Sequence, residues 1–189
     1  MSLTREKIVA NTKKYIDTAK KHGFLTPELE TLLGVDIIKA PATTKLDSYN
    51  AFEGGLVDHI LRVMEKAYYI NKYCVCEKDK VNIDSLIKVV YLHQIGKIKL
   101  FIPNESKWHR DNLGQMYGFN NDLVSMRVGE RSAYYALSCG IKFTEEEFGA
   151  VVNYDKLDDK QSEHYNSTLG DVLKIAGKLA VMEAKSLAK

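Results

Sequence analysis

Val90-Tyr91-Leu92-His93-Gln94-Ile95-Gly96-Lys97 is the stretch on which the reading of this chain turns. His93 follows Val89 by four residues and Leu86 by seven, a helical spacing that sets its imidazole on the inward face. Gly96 supplies a stop. Upstream, His59 follows Leu56 by three residues and precedes Val63 by four, so it too lies on an apolar helix face. Each buried imidazole needs a partner for both ring nitrogens. A metal ion is one way to supply them, and a hydrogen-bonded core histidine is the commoner one.

Working outward, both histidine segments lie in helical patterns. The helix of His59 opens at Gly54-Gly55 and reaches Tyr73, with Leu56, Ile60, Val63, Met64 and Ala67 inward; that of His93 runs from Asn82 to Gly96. Ahead of them, Thr4 to Lys21 reads as a helix. Thr26-Pro27-Glu28 opens a short one that stops at Gly34, and 46–52 is irregular. Pro103 to Asn121 is a long excursion. Asp111-Asn112-Leu113-Gly114 predicts a turn inside it, and with it a small β-hairpin around 104–120. Helix resumes at Gly129 and stops near Gly140. Thr144 and Glu147 form a capping box for a helix to about Tyr154, 157–163 is a charged loop, and Ser167 to Leu187 is the last helix. The expected class is all-α: a single domain over 1–189, with N-terminal helices in 1–45 and a core in 46–187.

The chain has 189 residues, enough for one domain with a real core, and 45% hydrophobic residues, which fits a globular rather than a disordered chain. A net charge of +2 argues against nucleic acid as the main partner. No apolar run is long enough to span a bilayer, and no secretory leader is recognisable at the N-terminus, so no membrane partner and a cytoplasmic location are expected. Three cysteines, Cys74, Cys76 and Cys139, show no framework spacing and read as reduced, packed thiols.

The block Tyr49-Asn50-Ala51-Phe52-Glu53-Gly54-Gly55-Leu56-Val57-Asp58-His59 resembles the first metal-histidine segment of the HD-domain superfamily of metal-dependent phosphohydrolases. Val90 to Lys97 resembles that superfamily's His-Asp-Ile-Gly-Lys signature, with Gln94 in place of the aspartate. Gly129-Glu130-Arg131-Ser132 and Phe143-Thr144-Glu145-Glu146-Glu147 are similar to a phage-type branch, which carries His-Gly-Glu-Lys-Ser and Leu-Thr-x-Glu-Glu. Asp171 to Met182 resembles the block ending Ile-Ala-Asp-x-Leu-Ala. The likeness spans roughly residues 40 to 185 and implies an HD-like helical fold.

Residue by residue, it also implies a degraded site. His59 and His93 match the family's metal ligands, but Gln94 stands at the central aspartate and Gly177 at the last one. Val128 falls where the branch has a histidine, and Tyr154 near its other histidine. Hard cations depend on carboxylate oxygen, which two imidazoles and an amide do not replace. Asp58 and Asp171 have the wrong helical phase to substitute. The expectation is therefore an HD-like protein with little or no hydrolase activity, holding at most a divalent transition metal at low occupancy. Lys97, Lys99 and Arg131 are the expected ligand-binding residues, for phosphate or a nucleotide. Trp108, His109 and Tyr117 are expected in a hairpin packed on the domain. The alternatives are an active phosphohydrolase with a rebuilt site, acting on a nucleotide or phosphomonoester, and an interaction module with room for a homo-oligomer.

Overall fold

The computed structural model describes residues 2–156 and 167–187. The elements in chain order are α1 (Arg5–Lys21), α2 (Pro27–Leu33), α3 (Asp36–Lys39), α4 (Gly55–Tyr73), α5 (Ile83–Leu92), β1 (Phe101–Pro103), α6 (Lys107–Leu113), β2 (Tyr117–Phe119), α7 (Val128–Ser138), α8 (Glu145–Val152) and α9 (Thr168–Leu187). The architecture is all-α with one two-stranded antiparallel ribbon, Phe101 facing Phe119 and Pro103 facing Tyr117. Among the described residues no helix is long and apolar enough to cross a membrane. The charged loop expected at 157–163 lies outside them.

α4 is the axis of the domain, packed along α9 and against α5 and α1. It buries Leu56, Val57, Ile60, Val63, Ala67 and Ile70. Each fully buried aliphatic side chain contributes about 1.5–3 kcal/mol, so this face alone anchors the helix. Its start needs both glycines. Gly54 sits at φ 77, and a Cβ on Gly55 would lie 2.2 Å from the Asn50 carbonyl oxygen. The loop before α4 is thereby drawn tightly over its first turn, next to Asp58 and His59.

The α5 segment ends earlier than its pattern predicts. Regular helix stops at Leu92, His93 caps it, and Ile95–Lys97 forms a single 3₁₀ turn. Gly96 allows a close approach there, since a Cβ would meet the Val128 carbonyl oxygen at 2.6 Å and the Ser132 nitrogen at 2.9 Å. The backbone is pressed against α7, with the Gly96 N–H donating to Ser132 Oγ and that hydroxyl donating to the His93 carbonyl. α7 thus braces the signature stretch.

Two expectations are corrected in the excursion and one at the cysteines. Residues 111–114 make no hairpin turn: they end α6, which Ser106 caps and Gly114 closes at φ 59. The ribbon does form, but its strands flank that helix, and β1 lies at 101–103, before the expected span. α6 buries no residue, so Trp108, 60% exposed, is not packed on the domain, and its ring stands edge-on to that of its neighbour His109. Cys74 and Cys76 are exposed rather than packed, and Val75 between them packs against the core instead. Only Cys139 is buried.

Candidate functional site

His59 comes from the first turns of α4 and His93 from the end of α5, and both are fully buried. His93 Nδ1 donates to the Val90 carbonyl at 2.6 Å, which fixes the tautomer and leaves Nε2 as a lone pair with no partner among the described residues. His59 Nε2 lies 3.5 Å from the Gln94 amide nitrogen, and His59 Nδ1 has no partner among the described residues. Gln94 joins the pair to its surroundings. Its amide nitrogen donates to Tyr154 Oη at 3.3 Å, and its Oε1 accepts from Lys97 Nζ at 3.1 Å.

Lys97 is turned inward and buried. Its ammonium donates to the Ala42 carbonyl at 2.7 Å, to Gln94 Oε1 and to Tyr49 Oη at 3.4 Å, which uses its three protons. Two tyrosines close the cluster. The Tyr49 ring lies 4.8 Å from His59, and Tyr154 stands edge-on to His93 at 4.3 Å. Tyr154 Oη also lies 2.3 Å from where a Cβ on Gly177 would be. The space that a side chain at 177 would need is filled by a phenol.

Burial dominates the proton chemistry. It pushes His93 down to about 3, with the Lys97 charge adding and the bond to Val90 opposing. His59 is held well below its ordinary value by burial, then by Lys97, His93 and Arg62. Lys97 falls to about 7 through burial, against which Asp155 works from a distance. Burial raises the Tyr154 and Tyr49 phenols, with the Gln94 contact opposing in both. At neutral pH the cluster holds two neutral imidazoles and a lysine, with no carboxylate among them.

The remaining expected residues are dispersed. Lys99, 53% exposed, pairs with Asp36 at 3.2 Å. Arg131 is buried and donates to the Val124 carbonyl, tying the segment before α7 to the helix. Of the three cations expected to gather for phosphate, only Lys97 adjoins the histidines. Asp171 is exposed on α9. Asp58 is buried, but Asn11, Asn50 and Arg62 all donate to its carboxylate at 2.9–3.2 Å.

A divalent cation of the HD type does not fit these residues. His93 Nε2 offers one free lone pair, Gln94 Oε1 is taken by an ammonium, and among the described residues no carboxylate lies within the cluster to balance added charge. Among the described residues no group of three or more histidine, cysteine or acidic side chains is placed to hold a metal. Sequence reading missed Tyr49, the Ala42 carbonyl and the inward course of Lys97. The inward course accompanies the 3₁₀ turn at Ile95–Lys97.

Compared with known proteins, the chain matches no family model, no curated protein and no solved structure.

Proposed function

We propose that this chain is an HD-type helical domain that has lost metal-dependent phosphohydrolysis and serves as a binding or scaffolding module. The observation that carries the reading is the Lys97–Gln94–Tyr154 chain of contacts. Hydrolysis of this type needs a metal ion with a coordination position open to water and enough negative charge around it. Here the positive charge comes from the protein's own ammonium, and Tyr154 fills the room beside Gly177. Gln94 has no useful proton affinity and supplies no general base. Lys97 is committed to protein acceptors, while Lys99 pairs with Asp36 and Arg131 donates to Val124 away from the histidines, which supports a role that does not depend on phosphate at this place.

The test is a purification without chelator, followed by metal analysis by mass spectrometry. Hydrolysis of nucleotides and a generic phosphate ester is then assayed with Mn²⁺, Ni²⁺, Mg²⁺ and Zn²⁺. The expected result is substoichiometric metal and turnover no higher than that of His93→Ala. Stoichiometric metal with activity abolished by His93→Ala sinks the reading.

A further inference from the structure

A cavity of about 380 Å³ opens between the N-terminal end of α1, the irregular segment 46–52, α4 and the end of α9. That is the size of a small-molecule site, far above the voids left by imperfect packing. Its apolar wall is Leu3, Leu46, Ala51, Phe52, Ala184 and Leu187. Ala51 and Ala184 are buried and form the floor, while Leu46 and Leu187, both more than half exposed, ring the mouth. The wall is fixed in place. Asn50 adopts φ 47, its side chain donates to the Gly55 carbonyl and to Asp58, and its backbone carbonyl accepts from the Ala42 N–H.

The charged residues lining the cavity are Lys7, Arg62 and Asp58. The Asp58 carboxylate is already surrounded by three donors, so it offers little to a cationic ligand. Arg62 is shared between Asp58 and Glu183. Lys7 lies on the first turns of α1, at the end where the peptide dipoles favour an anion. The cavity therefore has an apolar body and one cationic end.

We propose that this cavity binds a small amphipathic monoanion, an aliphatic or aromatic carboxylate. Its apolar body lies against Ala51, Phe52 and Ala184 and its carboxylate points to Lys7 and the start of α1. The site is separate from the histidine cluster and stands whether or not hydrolysis has been lost. Tyr49 adjoins both: it lines the cavity, lies tilted against the His59 ring and accepts from Lys97.

Calorimetric titration and thermal melting with octanoate and 2-naphthoate test this, with octanol and octylamine as neutral and cationic counterparts. Octanoate should bind saturably and raise the melting temperature, and octylamine should bind about tenfold more weakly. Ala184→Phe, which fills the floor, should keep its helical circular dichroism and lose the octanoate signal. Lys7→Glu, a change at an exposed position, should weaken octanoate about tenfold and leave octanol as it was. Absence of saturable octanoate binding up to millimolar concentration overturns the proposal. So does equal binding of octylamine, undiminished octanoate binding by a folded Ala184→Phe, or indifference to Lys7→Glu.

Discussion

Asp58 and His59 are consecutive on α4 and both buried, yet their surroundings treat them differently. The Asp58 carboxylate receives Asn11, Asn50 and Arg62, so α1, the 46–52 segment and α4 are tied together through one charge. The His59 ring, one residue on, has a long contact to Gln94 and a nitrogen with no partner among the described residues. A buried group with full satisfaction is a joint in the structure; one with unmet capacity is tolerated by it. Neighbouring positions on one helix can thus differ by several kcal/mol in what they contribute.

Truncation exposes that difference most sharply. Asp58→Ala removes the acceptor shared by Asn11, Asn50 and Arg62, of which Asn50 and Arg62 keep a second partner, and should cost about 3 kcal/mol in urea denaturation. His59→Phe keeps shape and burial and should change stability by less than about 1 kcal/mol. Comparable losses for the two variants would break the comparison. Gly177→Ala comes next, because its Cβ meets Tyr154 Oη; a loss of about 2 kcal/mol is expected, partly restored by Tyr154→Phe. If Tyr154→Phe restores nothing, the phenol is not what fills that space.

The pH response is smaller and runs one way through two windows. Between about 3 and 6.5 the unfolded chain binds a proton at His93 that the folded chain refuses, so stability falls as pH falls there. Lys97, at about 7 when folded against 10.5 ordinarily, makes stability rise again as pH climbs from 7 towards 10. Denaturation curves near pH 4, 7 and 9 should show both, with His93→Phe flattening the lower window and Lys97→Met the upper. A flat profile in the unsubstituted protein sets aside the burial argument. The smallest effect expected is none: Gln94→Asp alone should gain no metal, because the new carboxylate faces the Lys97 ammonium. A stoichiometric ion in that variant would show that Lys97 can be displaced.

Much of the fold was legible because its helices announce themselves. The stripes of α4, α5 and α9 have the helical period, and Thr4, Thr26 and Thr144 sit at caps that accept backbone hydrogen bonds. α6 was not legible: it buries nothing, so it carries no stripe, and its closing Asp111-Asn112-Leu113-Gly114 has the composition of a turn. The site divides in the same way. His59, His93, Gln94, Tyr154 and Gly177 were singled out by local spacing and resemblance, whereas the Ala42 carbonyl and Tyr49 arrive from a distant segment that periodicity does not register. Lys97 was expected to face a ligand; its bonds to the Ala42 carbonyl and Gln94 were not legible, because the chain leaves the α-helical path just before it.

The contact between Tyr154 and Gly177 orders the routes by which this sequence can change. Any residue larger than glycine at 177 must wait for 154 to become smaller, whereas 154 can shrink at any time without reference to 177. The pair works as a ratchet. A chain carrying this tyrosine cannot place a side chain as large as aspartate at 177 without a second change, whatever advantage that aspartate would bring.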